Sequence, residues 1–311
     1  MQPSSVPLLD VQELSVAFRR YKSGLQQRDL HVIHALSLSV HAGEIVAVCG
    51  ASGSGKSLLA SAILGLLPEN AHTSGTLRFR GETLTPQRQA ELRGSAIALV
   101  PQSVAYLDPL MRTGAQADGH LRPRPTAKRR ALFRRLGLPD NTEHLYPFQL
   151  SGGMARRVLV ATALLTDAAL IIADEPTPGM SLPQALEALR LFRDLADEGR
   201  GVVLITHDIY LAAAFADRLA IFYAGTTVEL CAASDFQSGP AALRHPYTKA
   251  LWHALPQNDF IPIAGSQPAP DAALSGCPFA PRCALASENC RTSLPPFTPL
   301  RGGEVRCYHA S

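Results

Sequence analysis

The chain of 311 residues contains no uncharged apolar run of the roughly 18 residues that a membrane-spanning helix needs. Its most apolar stretch, Val158 to Ala173, is interrupted by Asp167. The N-terminal Met-Gln-Pro-Ser-Ser has neither the basic start nor the apolar core of a secretory signal. These absences predict a cytosolic chain that, if it serves a membrane, does so from the periphery. Charge of one sign is also scarce. A net charge of +3 is too small an imbalance to point to nucleic acid. The 23 glycines and 24 prolines are too few for a collagen-like or low-complexity chain, and no internal repeat is visible. What is present in quantity is apolar material, 46% of residues, enough for a full core and against wholesale disorder. The length suits about two domains, or one large domain with an appendage.

Residues 8–240 read as alternating strands and helices. Strands are expected at Val11 to Phe18, Ala35 to Val40, Thr76 to Phe79, Ile97 to Val100 and Val202 to Ile205. Glu44 to Cys49 and Leu170 to Ala173 are short apolar runs, the pattern of strands buried on both faces. Helices are expected at Ser57 to Leu67, Leu186 to Leu195 and Leu211 to Phe215. Strands separated by helices predict a mostly parallel sheet covered on both sides. Between residues 103 and 150, prolines and basic residues concentrate: Arg122, Arg124, Lys128, Arg129, Arg130, Arg134 and Arg135. This predicts an inserted helical subdomain, reaching to about residue 160, with a solvated basic face. A single aromatic, Phe133, lies among these charges, too few for a stacking site, so a nucleic-acid site is not expected there. After about residue 235, Pro and Gly punctuate the chain, and residues 256–281 read as a linker into a cysteine-rich tail.

Gly50-Ala-Ser52-Gly53-Ser54-Gly55-Lys56-Ser57 fits G-x-x-x-x-G-K-[ST] between a strand and a helix, the context that confirms a phosphate-binding loop. Glycines let backbone N–H groups turn toward phosphate oxygens, and the helix N-terminus adds partial positive charge. Lys56 supplies a full charge to the β- and γ-phosphates of a nucleotide, and Ser57 a hydroxyl to Mg²⁺. A second Mg²⁺ group is expected from Asp174, at the end of the Leu170 strand. Glu175 follows it and, pointing another way, can face an attacking water.

From here the sequence resembles the ABC ATPases. Leu150-Ser151-Gly152-Gly153-Met154 resembles their signature motif, Val100-Pro-Gln102 their Q-loop and Ile205-Thr-His207-Asp208 their switch histidine. Phe18 resembles the aromatic that stacks on adenine, with Tyr21 as the alternative. The resemblance covers essentially the whole chain, with the motifs in the family's order. It implies an α/β P-loop ABC ATPase core over residues 1–240. It also implies two ATPases meeting head to tail around two ATPs. Ser151, Gly152 and Gly153 would touch the γ-phosphate held by the partner. His207 would contact the γ-phosphate of its own site, and Gln102 would contact Mg²⁺ or water and report to a membrane subunit.

His245-Pro-Tyr-Thr-Lys-Ala-Leu251 and Gly276-Cys-Pro-Phe-Ala-Pro-Arg-Cys283 resemble segments of the peptide/nickel importer ATPases. Met154, where many ABC proteins carry Gln, resembles the D-type member of their paired D and F subunits. The resemblance implies residues 241–311 as a C-terminal extension of that type. Its implied partners are an F-type ATPase, two transmembrane permeases and an extracytoplasmic binding protein, at the cytoplasmic face of the inner membrane. The cargo implied is a peptide, nickel or another metal chelate. Two departures stand out. Ser181 occupies a position where the family usually has Asp, in the loop that crosses the dimer interface. The segment Gln102 to Pro109 is one residue shorter than the usual Q-loop sequel.

Six cysteines would be unusual as disulfides in the cytosol. Four of them, Cys277, Cys283, Cys290 and Cys307, crowd into the tail with spacing C-x5-C-x6-C-x16-C. Thiolates are soft ligands for Zn²⁺ or an iron–sulfur cluster, and four can close a site. No C-x2-C pair supports zinc, and the family resemblance favours [4Fe-4S]; metal-free thiols are the third reading. Cys49 and Cys231 lie in strand-like runs and read as core residues. His31, His34, His245 and His253 read as ordinary surface or core histidines. The function expected is thus an ATP-driven importer subunit. The alternative is a soluble ABC ATPase acting on nucleic acid or ribosomes, without the second cassette or coiled coil such proteins usually carry.

Overall fold

A computed structural model describes residues 6–23, 26–51, 53–119, 121–269 and 275–311. The N-terminal part runs β1 (Leu9–Ser23), β2 (Gln26–Val40), β3 (Ile45–Gly50), α1 (Lys56–Leu64), β4 (Ala71–Phe79), β5 (Glu82–Thr83) and α2 (Pro86–Leu92). The middle runs β6 (Ile97–Val100), α3 (Thr113–Asp118), α4 (Thr126–Arg135), α5 (Gly152–Leu164), β7 (Leu170–Asp174), α6 (Leu182–Asp197), β8 (Gly201–Thr206) and α7 (Ile209–Phe215). The rest comprises β9 (Arg218–Tyr223), β10 (Thr226–Ala232), α8 (Ala233–Gln237), α9 (Pro246–Ala254), α10 (Glu288–Thr292), β11 (Thr298–Leu300) and β12 (Gly303–Val305). No helix among the described residues is long and apolar enough to cross a membrane.

Two sheets form. One is antiparallel, in the order β2-β1-β4-β5. The other has eight strands in the order β11-β12-β10-β9-β3-β8-β7-β6, with β9, β3, β8, β7 and β6 mutually parallel. The parallel strands are apolar throughout because each feeds two cores. In β3, Ile45, Ala47 and Cys49 join one core, with α5 and α6, while Val46 and Val48 join the other, with α1 and the antiparallel sheet. Strand β8 divides the same way: Val202 and Leu204 on one side, Val203 and Ile205 on the other. A period-two strand with both faces covered has no room for polar residues.

The sequence expectation for β2 began at Ala35; the strand begins nine residues earlier. Its first half pairs with β1 (Phe18 with Leu30, Ala17 with His31) and is polar because part of it lies in solvent. Polar alternation of that kind carries no burial signal.

Among the described residues between β6 and β7 the regular elements are helices, with no strand. Six of the seven basic residues in the 122–135 run are exposed, as expected of a solvated face; Arg129 departs from it. Arg129 is buried and bonds Asp118 and Glu143 together, its Nη2 lying 2.6 Å from Glu143 Oε2. Arg135 reaches Glu187 and Asp194 on α6 at 3.2 and 2.9 Å. The carboxylates that pair with Arg129 and Arg135 lie on other elements of the fold. The hydrogen bond from Arg130, then those from Arg129, hold the Glu143 carboxyl down at about 2, against the opposing effect of burial. A depressed carboxyl stabilises the fold fully above its ordinary value of 4.5 and loses that contribution as pH falls toward 2. We therefore expect Glu143→Gln to lower the urea midpoint at pH 7 and to flatten its decline between pH 5 and 3. A parallel acid limb in wild type and variant would refute this.

Candidate nucleotide site

The C-terminal ends of β3, β7 and β8 lie side by side, the place where open α/β sheets bind ligands. From β3 the loop at 50–55 turns into α1. Gly50 is pressed against the β9 backbone: a Cβ there would meet Phe222 O at 2.3 Å, which fixes this residue as Gly. Gly55 caps α1 at φ +91, a left-handed conformation that costs Gly little. Lys56 is buried, its Nζ donating to Gly50 O and Ala51 O at 2.9 Å each. Burial lowers its pKa, opposed by the charges of Glu175, Cys49 and Asp174. Ser57 Oγ donates to Asp174 Oδ1 at 3.1 Å, joining α1 to the end of β7. Burial raises the Asp174 pKa, the Ser57 bond lowers it, and the neighbouring Glu175 raises it again. Ser52 lies outside the described residues. Ser54 is 2% exposed, and its Oγ has no partner.

Glu175 takes φ +48, a left-handed turn that a non-glycine residue adopts only under constraint, and its N–H is fixed to Ile205 O at 2.9 Å. The turn aims the buried carboxylate at exposed His207, whose Nδ1 lies 2.9 Å from Glu175 Oε1. Asp208, beside it, caps α7 by accepting from Leu211 N at 3.0 Å. Lys56, Ser57, Asp174, Glu175 and His207 thus form one cluster. Gln102 is exposed at the end of β6; its carbonyl, with that of Pro101, accepts from Arg156 on α5. Ser151 caps α5, accepting from Met154 N at 3.3 Å, and is exposed with Gly152. A Cβ on Gly153 would lie 2.8 Å from Gly179 O, so this glycine lets the loop before α6 approach the start of α5. Phe18 is half-buried on β1 and packs against the core that contains α1. The side chain of Tyr21 lies outside the described residues.

Sequence reasoning missed Arg156 and its neighbour Arg157, which donates to Leu136 O, Gly137 O and Gly153 O. Their signal was position, five and six residues beyond Ser151 on the same helix. The unexpected Ser181 has a structural use: it is the N-cap residue of α6, its N–H bonded to Gln184 Oε1 at 3.2 Å. Ser serves a cap about as well as Asp, so the helix survives the change while the charge does not.

All six cysteines of the chain are free, and burial raises the Cys277, Cys283 and Cys307 thiols above their ordinary value. Cys277 N bonds Cys290 O at 2.8 Å, and Ser287 Oγ lies 3.4 Å from Cys290 Sγ. Burial pushes the Cys277 thiol up to about 11. Among the described residues no three His, Cys, Asp or Glu stand in an arrangement that holds a metal ion. His245 is buried with its pKa lowered to about 3, and the neutral ring accepts from Tyr247 N to cap α9. Pro246 supplies the first turn of that helix, and Tyr247 packs on Tyr223 and Phe279, which gives H-P-Y a structural reason.

Residues 33–178 match the ABC transporter family, and residues 228–290 match the C-terminal region of oligopeptide/dipeptide transporters. The oligopeptide transport ATP-binding protein OppD of Mycobacterium tuberculosis is 37% identical over 93% of this chain. The chain spans about half (49%) of that relative's length. OppD of Haemophilus influenzae is 32% identical, over 96% of both chains. Among solved structures, a dimeric ATP-binding cassette in a post-hydrolysis state, bound to ADP and Pi, aligns with TM-score 0.62. It is 25% identical over 72% of this chain and 98% of its own. The chain belongs to the ABC transporter ATP-binding proteins of the oligopeptide/dipeptide type.

Proposed function

We propose that this chain hydrolyses ATP to drive a peptide importer, as one of two unlike ATPase subunits at the cytoplasmic face of the membrane. The carrying observation is the cluster at the sheet's C-terminal edge, where Ser57 meets Asp174 at 3.1 Å and Glu175 meets His207 at 2.9 Å. The donor set fits ATP with Mg²⁺. The unpartnered buried Ser54 hydroxyl, the buried ammonium of Lys56 and the paired Ser57 and Asp174 oxygens are what phosphate and a hard cation require. Ser57, Asp174 and Gln102 would hold Mg²⁺, which when bound neutralises charge developing on the phosphates.

The chain's own residues do the rest. Lys56 exchanges its two carbonyl partners for phosphate oxygens. Glu175 orients the attacking water and takes its proton, while His207 fixes the Glu175 carboxylate and reaches the γ-phosphate. Ser151, Gly152 and Gly153 lie exposed or partly exposed at the head of α5, suited to the phosphate of a partner's site. Arg156 ties the Q-loop backbone to the same helix, so nucleotide and Q-loop move together. We read the segment from about 103 to 160 as the inserted helical subdomain and residues 241–311 as the extension.

The four tail thiols have the ligand chemistry of a [4Fe-4S] cluster, with zinc the second choice, but among the described residues they do not stand in an arrangement that holds a metal ion, so the tail would have to rearrange to load one. Nickel chelates are the alternative cargo to peptides.

The test is purification of the tagged protein from detergent-solubilised native membranes, with mass spectrometry of what accompanies it. A second ATPase, two permeases and a binding protein are expected. Ribosomal or repair proteins alone would overturn the importer reading.

A further inference from the structure

Beside the phosphate loop lies a small, partly open cavity of about 10 Å³, room for roughly one water. Its walls come from four parts of the chain: Gly53 and Ser54 of the loop, His31 and His34 of β2, Gly225 after β9, and Gln267 of the linker. Among the described residues, Ser54 Oγ and Gln267 Oε1 are both buried without a hydrogen-bond partner. Two unpartnered polar groups around one small space mark a place that a polar ligand atom would satisfy.

The linker does not rest there loosely. Arg282, one residue before Cys283, donates from Nε to Ala264 O at 2.7 Å and from Nη2 to Ile263 O at 2.8 Å. Its Nη1 donates to Tyr223 OH at 3.0 Å. Tyr223 ends β9, and the turn that follows is locked to β2: His34 N donates to Gly225 O at 2.7 Å. A Cβ on Gly225 would lie 2.3 Å from Val32 O, so the two elements cannot separate or approach independently. One arginine of the tail therefore ties the linker to the frame that carries the phosphate loop.

We propose that Gln267 is a further nucleotide-positioning residue, and that Arg282 is the latch that holds it at the site. The linker would supply, from the same chain, a wall beside Gly53 and Ser54 of the loop that binds the nucleotide. The Gln267 amide rotates to donate to an oxygen there. The state of the cysteine tail then reaches the nucleotide through Arg282 and the linker carbonyls. This inference rests on the reading of the Lys56 loop as the nucleotide site.

The experiment is calorimetric titration of the full-length protein with ADP in the presence of Mg²⁺. Gln267→Ala is expected to weaken binding by about three- to tenfold, the value of one hydrogen bond. Gln267→Glu is expected to weaken it further, with the extra loss shrinking at high salt because a carboxylate repels phosphate. Arg282→Ala is expected to match Gln267→Ala, and the double variant to lose little more than either, since both remove the same contact. Gln267 is half-exposed, so melting without nucleotide should not move. Unchanged ADP affinity in Gln267→Ala, or full additivity with Arg282→Ala, would overturn the inference. Wild-type protein that binds no ADP would instead overturn the nucleotide-site reading, and this inference with it.

Discussion

Glu175→Gln is expected to leave ATP binding intact and to cut turnover by about 10²- to 10⁴-fold, the range for loss of a positioned general base. The reason is local. Glu175 sits in a left-handed turn with its N–H fixed to Ile205 O, so the variant keeps the backbone that aims the side chain. Gln keeps the length and can still bond His207, but it cannot accept a proton from water. Lys56, Ser57 and Asp174, the residues proposed to hold the nucleotide, are untouched. ATP should therefore bind and stay, so the proposed dimer with a second ATPase should persist rather than cycle. Native mass spectrometry of that complex, with phosphate release measured alongside, separates the two effects. Turnover that survives the change would move the base elsewhere, and His207 would be the residue to examine.

The second large effect is expected at Arg244, far from the site. Its side chain is 1% exposed and donates to Glu229 Oε1, Asp235 Oδ2 and Leu300 O at 3.3, 2.9 and 2.6 Å. It thereby joins β10, α8 and β11. Glu229 is fully buried and also accepts from the backbone N–H groups of Arg244 and His245. Arg244→Ala would leave that carboxylate without its countercharge, which costs about 3–5 kcal/mol for a buried pair broken from one side. A lowered melting temperature is expected, with limited proteolysis cutting first in the C-terminal extension. Arg244→Met with Glu229→Gln should recover part of the loss, because replacing both partners removes the stranded charge. No change in melting would show that the extension is held by its apolar contacts alone.

The site was legible to the extent that its chemistry is written contiguously. The loop from Gly50 to Ser57, the Asp174-Glu175 pair and His207 each close a strand, and strands buried on both faces are easy to see. The signature glycines were legible as a resemblance, but the reason for Gly153 was not, because it depends on how near Gly179 comes. Arg129 was read as solvated because its partners, Asp118 and Glu143, lie 11 and 14 residues away on other elements. The strand expectation for β2 covered only its second half, from Ala35, because a half-solvated hairpin carries no apolar rhythm. Gln267 gave no signal at all: its place beside Ser54 depends on the path of a linker without regular secondary structure. Charge pairs and loop paths are tertiary facts, and composition along the chain does not encode them.

One contact bears on how the molecule is made. Arg306, buried near the tail's last strand, donates to Glu13 Oε1 at 2.8 Å and to Ala35 O at 2.9 Å, across 293 and 271 positions of the chain. During synthesis the β1–β2 hairpin leaves the ribosome first, and the residue that staples it to the tail emerges long afterwards. Until then the open carbonyl of Ala35 and the cores beneath it are exposed to the cell. Contacts of such sequence separation form late and slowly. The nascent protein therefore passes through a stage in which its phosphate loop is complete while its two ends are still unjoined, a window in which chaperones or a co-synthesised partner subunit can engage it.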